Sequence, residues 1–153
     1  YADDPVHPCT CTPAEINQYR SKLSGPILER IDMHLLLQPV PYNQLNRETE
    51  ESVLSSEMMR SQIEKARKMQ RERYSGTGIY LNQQMTNKMV EKYCPLGSAE
   101  QAMIAQAYSS LTLNPRTLMR VKRVARTIAD LEQSEDIHVS HLAEALQYRE
   151  RKW

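Results

Sequence analysis

The stretch Asn114-Pro-Arg-Thr-Leu-Met-Arg-Val-Lys-Arg-Val-Ala-Arg-Thr-Ile-Ala-Asp-Leu-Glu132 carries the strongest structural pattern in the chain. Its apolar residues recur at steps of three and four, which predicts an amphipathic helix with one face toward a core. These residues are Leu118, Val121, Ala125, Ile128 and Leu131. Asn114 is suited to cap the first turn, and Pro115 suits the first helical position, where no backbone N–H is needed. The sequence therefore predicts a helix over 115–132.

The first half of this predicted helix carries only positive charge. No acidic residue interrupts its cations, which are Arg116, Arg120, Lys122, Arg123 and Arg126. Arg116 falls in the first turn, where its guanidinium and the positive end of the helix dipole can act on the same phosphate. The alternative is a solvated basic face on a core helix, and the stretch by itself is compatible with both.

The composition indicates a helical protein without a global nucleic-acid signature. The 153 residues include only four glycines and no Phe, and they are enough to form a domain with a core. The formal net charge is +1, so any cationic function must come from local clustering. No apolar run reaches membrane-spanning length and no signal-peptide core is present, so we expect a cytoplasmic protein with no membrane partner.

Three cysteines occur in the chain, and two of them lie close together. His7-Pro-Cys9-Thr-Cys11 places three soft ligands within five residues. A tetrahedral zinc site needs four ligands, however, and paired cysteines are usually separated by two to four residues. We therefore expect reduced thiols and no metal site, with Cys9 and Cys11 as weak candidates only.

Cap and breaker residues divide the chain into further elements. Thr12, Pro13 and Glu15 form a helix-start signal, and a short helix is predicted around Ile27, Leu28 and Ile31. The apolar run from Met33 to Gln38 is too short for an independent helix and predicts a buried strand. Further helices are predicted from Ser56 to about Arg73, at 87–93 after Thr86, at 99–111 after a Ser98–Gln101 capping box, and at 139–150. Ser75-Gly-Thr-Gly78 predicts a flexible joint.

Common catalytic motifs are missing from the sequence. It contains no Gly-x-x-x-x-Gly-Lys-Ser/Thr loop, no His-Glu-x-x-His and no Gly-x-Ser-x-Gly. The chain offers arginines rather than an acid, a base or a nucleophile, which is typical of a partner to a phosphate site built elsewhere. Arg30 follows a Gly-Pro corner on the short helix, and Asp32 could orient it there. Such a rigid guanidinium suits an arginine finger, although Arg30 could equally be a surface residue paired with Glu29 or Asp32.

Four long segments carry a family resemblance: Cys-Thr-Cys-Thr-Pro-Ala-Glu-Ile (9–16), Tyr-Arg-Ser-Lys-Leu-Ser-Gly-Pro-Ile-Leu-Glu-Arg-Ile-Asp-Met-His (19–34), Arg-Val-Ala-Arg-Thr-Ile-Ala-Asp-Leu-Glu (123–132) and His-Leu-Ala-Glu-Ala-Leu-Gln-Tyr-Arg (141–149). The chain resembles the magnesium-chelatase-like AAA+ ATPases over essentially its whole length. Within them it resembles the competence-associated bacterial branch rather than the chlorophyll-pathway chelatase subunits.

The resemblance implies roles for two arginines. The family's finger motif Gly-Pro-Leu-Leu-Asp-Arg-Ile-Asp falls on 25–32 and implies that Arg30 is the arginine finger, with Glu29 in place of the usual Asp. The family's sensor-2 arginine falls on Arg116. By this resemblance, Arg30 acts in trans on the γ-phosphate bound by the adjacent subunit, and Arg116 contacts the ATP phosphate of its own subunit.

The resemblance also implies a mainly α fold, in which a C-terminal helical lid bundle of a AAA+ ATPase is joined to a short remnant of the α/β core. Residues 1–43 would be the end of that core, 44–80 a connecting long helix with a flexible joint, and 81–153 the lid. Walker A, Walker B and sensor 1 would lie before Tyr1, so we do not expect this portion to hydrolyse ATP by itself. ATP and Mg²⁺ are expected in the parent protein, and none bound to this portion.

The implied partners are the protein's own N-terminal AAA+ core, the neighbouring subunits of a homo-oligomeric ring, and DNA in competence or recombination. One alternative is a helical nucleic-acid-binding module that uses 60–73 and 116–126 to contact phosphates. Its candidate residues are Arg120, Arg123, Arg126, Arg67 and Arg71. Another alternative is a chelatase subunit that drives metal insertion into a tetrapyrrole.

Overall fold

A computed structural model describes residues 7–23, 25–35, 37, 39–40, 42, 55–111 and 113–149. Over these ranges the chain forms α-helices and one 3₁₀ turn and contains no β-strand, which confirms the mainly α prediction. The elements are α1 (Pro13–Arg20), α2 (Gly25–Leu28), α3 (Ser56–Arg73), a 3₁₀ turn (Asn82–Gln84), α4 (Asn87–Tyr93), α5 (Ser98–Ser110), α6 (Pro115–Leu131) and α7 (Val139–Gln147).

Helix α6 is the centre of the bundle. Helices α3, α4 and α7 and the 3₁₀ turn all pack against it, and α5 packs on α7. Val121, Ala125 and Ala129 are buried on its inner face, at the spacing of four that places side chains on one side of a helix. The two alanines allow neighbouring helices to approach closely, and Leu142 and Leu146 of α7 fill the space beside them.

The predicted helix starts are mostly confirmed. Thr12 and Glu15 form the capping box of α1, and the Asn114 side chain accepts from the Thr117 N–H at 2.8 Å at the start of α6. The Thr86 hydroxyl accepts from the Met89 N–H at 3.4 Å. The start of α5 was wrong by one residue, because Gly97 rather than Ser98 occupies the cap position without a side-chain hydrogen bond.

The break predicted after Arg73 is also confirmed. Gly76 and Gly78 have φ values of +74° and +80°, the left-handed region that glycine adopts without strain. The buried Tyr74 precedes this turn, and its carbonyl accepts hydrogen bonds from the backbone and the hydroxyl of Thr77. The flexibility of the joint stays a prediction.

The strand predicted at Met33–Gln38 was wrong for the residues that the structure describes. Residues 33–35 and 37 are not in a strand, and Leu35 and Leu37 are 61% and 88% exposed. A strand needs a neighbour to satisfy its backbone groups, and the described ranges contain none. Instead, the His34 N–H donates to the carbonyl of Tyr148 at 2.9 Å, just beyond the end of α7. Helix α7 ends at Gln147, three residues earlier than predicted.

None of the helices in the described ranges combines the length and the apolar character needed to cross a membrane.

Candidate functional site

The segment that bears Arg30 is held against α6 and the end of α7 by backbone hydrogen bonds. Arg120 of α6 donates from Nη1 to the carbonyl of Arg30 at 2.6 Å and also to the carboxylate of Asp32. Arg149 donates to the carbonyl of Ile31, and the His34 N–H reaches the carbonyl of Tyr148. The backbone from 30 to 34 is therefore fixed to the bundle at three points.

The Arg30 side chain is not neutralised by its neighbours in the described part of the chain. Arg30 is exposed, and neither Glu29 nor Asp32 forms an ion pair with its guanidinium. The expectation that Asp32 orients Arg30 was wrong, because the Asp32 carboxylate pairs with Arg120 instead. Arg30 thus presents an exposed guanidinium from a backbone that is itself held in place.

Arg116 is exposed in the first turn of α6, as predicted from the sequence. The Asn114 side chain caps that turn, and the first turn carries no acidic residue. Arg116 lies one helical turn before Arg120, so both project from the same side of α6. The positive end of the helix dipole and the guanidinium of Arg116 together give this helix end a positive character.

A cavity of about 520 Å³ separates the Arg30 segment from α6 and α7, and Arg116 does not line it. Three arginines do so: Arg30, Arg120 and Arg123. Two of them are engaged within the protein, since Arg120 holds the Arg30 segment and Arg123 donates to the carbonyl of Met85 at 2.7 Å. Arg30 is the arginine of this cavity whose charge is available to an external phosphate.

Arg126 was predicted to be a candidate for nucleic-acid contact, and this was wrong. It is 1% exposed and lies inside the bundle. Its guanidinium donates to the carboxylate of Asp130 at 3.1 Å and to the carbonyls of Ser134 and Glu135 at 2.6 Å each. Burial lowers the pKa of Arg126, and the charge of Asp130 acts in the opposite direction. Arg126 therefore ties the loop after α6 to the helix and is inaccessible to DNA.

Asp130 is the centre of a buried polar network that sequence reasoning missed. Its carboxylate is fully buried and accepts from Arg73 at 2.5 and 2.9 Å, from Asn82 at 2.8 Å, from Gln70 at 3.1 Å and from Arg126. Burial opposes ionisation of Asp130, but the bonds from Arg73 and Asn82 and the two positive charges outweigh it and lower its pKa. The network joins α3 to α6. The available signal was the spacing of Arg126 and Asp130, four residues apart on a helix with a strong apolar pattern, which is typical of an ion pair within a helix.

The two remaining nucleic-acid candidates lie on the outside of α3. Arg67 and Arg71 are exposed, and Arg67 donates to the side-chain oxygen of Gln70 at 3.1 Å. Their charges stay accessible to solvent. In contrast, Arg120 and Arg123 are half-buried and engaged as described above.

The three cysteines are free thiols in different environments. A hydrogen bond from Cys9, together with its charge, raises the pKa of the exposed Cys11. Burial raises the pKa of Cys94 to about 11. Within the described ranges, no three His, Cys, Asp or Glu side chains gather as a metal-binding group.

Comparison with known proteins identifies the family. The family description "Magnesium chelatase, subunit ChlI C-terminal" matches residues 53–149, and "Magnesium chelatase, subunit ChlI" matches residues 1–45. Competence protein ComM of Haemophilus influenzae is 34% identical over 138 residues, which cover 90% of this chain and 26% of ComM. YifB of Escherichia coli is 33% identical over 139 residues, covering 91% of this chain and 26% of YifB.

A more distant relative extends the comparison beyond these two. Protein Mb2921c of Mycobacterium bovis is 25% identical over 142 residues, which cover 93% of this chain and 28% of that protein. The chain spans about a quarter of the length of the curated relatives that it matches. Both family descriptions and the similarity to ComM lead to one assignment: the chain belongs to the magnesium-chelatase-like AAA+ family, in its competence-associated branch.

Proposed function

We propose that this chain is the arginine-finger and sensor-2 lid portion of a ring-forming cytoplasmic ATPase. Arg30 stabilises the γ-phosphate of ATP bound by the neighbouring subunit, and Arg116 contacts the nucleotide of its own subunit. The observation that carries this proposal is the contrast between the backbone and the side chain of Arg30. Its backbone is fixed by Arg120, while its guanidinium is exposed and unpaired among the described residues.

An arginine finger in phosphoryl transfer needs both a fixed backbone and a guanidinium whose charge is not neutralised within its own subunit. Negative charge develops on the transferring phosphoryl group, and a cation already in position stabilises it without reorganising the protein. An internal carboxylate would cancel that charge. Asp32, the nearest acidic candidate after Arg30, is occupied by Arg120.

The position of Arg116 supports the second half of the proposal. The start of α6 combines an exposed guanidinium with the positive end of the helix dipole and no acidic side chain. Helix starts of this kind bind phosphates. ATP and Mg²⁺ belong, in this proposal, to a nucleotide site in the longer parent protein, to which Arg116 contributes.

The proposal retains the division into a core remnant at 1–43, a connection at 44–80 and a lid at 81–153. Helix α3 then joins core to lid, anchored by the Arg73–Asp130 ion pair at 2.5 Å. The partners are the parent's own core and the adjacent subunits of a homo-oligomer. Similarity to a competence protein supports DNA as the polymer on which the motor acts.

The test compares Arg30→Ala with Arg116→Ala in the ATPase that contains this chain. Arg30→Ala should abolish ATP turnover and leave nucleotide affinity unchanged, because a finger in trans acts on the transition state. Arg116→Ala should weaken nucleotide affinity. Mixing Arg30→Ala subunits with subunits whose nucleotide site is disabled should restore turnover, since one type supplies the site and the other the finger. Full turnover by Arg30→Ala would remove the finger assignment.

One observation favours a second function, which is direct DNA binding by this portion. The solvent side of α3 carries several exposed cations: Arg60, Lys65, Arg67, Lys68 and Arg71. Binding through them should fall steeply as salt increases, because each phosphate contact releases a counterion. Labelled DNA titrated at low and physiological salt, with wild type and with an Arg67→Ala/Arg71→Ala variant, decides the question. Equal, weak binding by both proteins would exclude this function.

A further inference from the structure

We infer that Arg120 is a positioning residue for Arg30 and couples the arginine finger to the helix that bears Arg116. This inference rests on the proposed function of Arg30 and adds a residue to which that function assigns no role. Arg120 does not touch the nucleotide in this account. It acts on the backbone that carries the finger.

The geometry around Arg120 is specific to the finger. Its Nη1 atom donates to the carbonyl of Arg30 itself, at 2.6 Å, and to the carboxylate of Asp32, two residues later. One guanidinium thus holds the chain at the finger and immediately after it. The Arg120 and Asp32 side chains are 21% and 41% exposed, so water competes with this contact less than with a fully exposed ion pair.

Arg120 also connects the finger to the proposed sensor. It lies four residues after Arg116 on α6, on the same side of the helix and about 6 Å further along its axis. A helix turn with intact hydrogen bonds moves as a unit. Any movement of α6 when Arg116 engages its own nucleotide is therefore passed to the backbone of Arg30 through the hydrogen bond from Arg120.

The remaining anchors of the segment do not replace Arg120. Arg149 bonds to the carbonyl of Ile31, and the His34 N–H bonds to the carbonyl of Tyr148. Both contacts lie after Arg30 in the chain. Without Arg120 the segment stays attached at 31–34, but the backbone of Arg30 itself loses its hydrogen bond to α6.

The three arginines that line the cavity could instead form an anion-binding site. The hydrogen bonds of Arg120 and Arg123 argue against this alternative. Arg120 and Arg123 already donate to protein acceptors, and Arg30 is the residue assigned to the neighbouring phosphate. The distribution of hydrogen bonds makes Arg120 a support for Arg30 rather than a second ligand for phosphate.

The experiment measures steady-state ATP turnover in the ATPase that contains this chain, for Arg120→Ala, Arg120→Lys and Arg30→Ala. Lys122→Ala is the matched control, because it removes a cation of the same helix two positions later, on a different side. Arg120→Ala should lower kcat by about 10- to 100-fold, since a displaced catalytic group costs up to about 100-fold, and leave KM for ATP within about twofold. Arg120→Lys should recover part of the loss, and Lys122→Ala should match wild type.

Mixed rings separate positioning from a general loss of folding. Arg120→Ala subunits should regain turnover when mixed with subunits whose nucleotide site is disabled, because those subunits supply intact fingers. They should not regain it with Arg30→Ala subunits, because both then present defective fingers. In the 153-residue chain, exchange of the Arg30 N–H, which bonds to the carbonyl of Ile27, should increase in Arg120→Ala, with exchange at His34 and in the core of α6 unchanged.

Three results would overturn the inference. Wild-type kcat in Arg120→Ala, beside an inactive Arg30→Ala, would show that the finger does not need Arg120. If hydrogen exchange became faster throughout α6 in Arg120→Ala, and Asp32→Asn kept full ATP turnover, Arg120 would only stabilise the fold and would not position the finger. Full turnover in Arg30→Ala would instead disprove the proposed function, and the inference would fall with it.

Discussion

Asp32 and Arg120 form an ion pair between residues 88 positions apart, so the Asp32 carboxylate is not paired with Arg30. The sequence places Asp32 two residues from Arg30, a spacing that predicts local pairing. The structure gives the carboxylate to α6 instead. A surface arginine thereby becomes an available cation on a fixed backbone.

The first prediction concerns the strength of that pair. In a double-mutant cycle on the chain, Asp32→Ala and Arg120→Ala should show a coupling free energy of about 0.5–1 kcal/mol, because the pair is only partly exposed. Urea unfolding of the four proteins measures it. The exposed pair Lys68–Glu72, at 4.0 Å, is the control and should couple by about 0.3 kcal/mol. Equal coupling in both pairs would contradict the partial burial of Asp32 and Arg120.

The second prediction concerns the buried network. Asp130→Ala should reduce the free energy of unfolding by about 3–5 kcal/mol, because it leaves the charges of Arg73 and Arg126 in the interior without their partner. Glu72→Ala, on the exposed side of α3, should change it by less than about 0.5 kcal/mol. Urea unfolding at pH 7 measures both. A small effect at Asp130 would show that the network is not needed for the packing of α3 on α6.

The third prediction is a pH dependence with a defined sign. The pKa of Asp130 is below its ordinary value of 3.8 in the folded chain, so its stabilisation is complete above that value and is lost as pH falls through the folded pKa. Asp130→Asn should therefore be less stable than wild type at pH 7, and the difference should shrink as pH falls below about 4. Unfolding free energies across pH 2–7 test this. If the stability difference between wild type and Asp130→Asn grew as pH fell, the pKa of Asp130 would not be lowered in the folded chain.

The fourth prediction concerns thiol reactivity. Cys94 is buried and its pKa is raised to about 11, so almost no thiolate forms at pH 8 and the sulfur is inaccessible. A thiol reagent at pH 8 should modify two cysteines of the folded chain and the third only on unfolding. Cys94→Ala should remove the slow reaction and keep both fast ones. Rapid modification of all three thiols would contradict the burial of Cys94.

Local signals predicted much of the fold from the sequence. Helix starts depend on a side chain and a backbone N–H within three residues, and Thr12 and Asn114 cap as their neighbours indicate. Apolar spacing correctly placed Val121, Ala125 and Ile128 on the inner face of α6, but Leu131 is 40% exposed and the spacing missed the buried Ala129. The apolar run from Met33 to Gln38 was wrongly predicted to be a strand. Such a run forms a strand only beside a neighbouring strand, and the run itself does not show whether one is present.

Long-range pairing could not be predicted from local pattern. Arg73 and Asp130 are 57 positions apart, and nothing near either residue indicates the other. Arg126 was grouped with the other cations of α6 as a candidate for phosphate contact, yet the backbone carbonyls of Ser134 and Glu135 and the Asp130 carboxylate accept from its guanidinium inside the bundle. The role that we propose for Arg30 came from the Gly-Pro corner and the family resemblance, and the contacts that hold its backbone became visible only in three dimensions.

The most direct test of the central claim is the turnover number of Arg30→Ala in the longer protein that carries this chain, which we propose to be a ring-forming ATPase. We expect kcat to fall by about 1,000-fold or more with nucleotide affinity unchanged, as for a finger that acts on the transferring phosphoryl group. Lys88→Ala, an exposed lysine of α4, should keep wild-type turnover. If Arg30→Ala turns over ATP as fast as Lys88→Ala does, Arg30 is not an arginine finger.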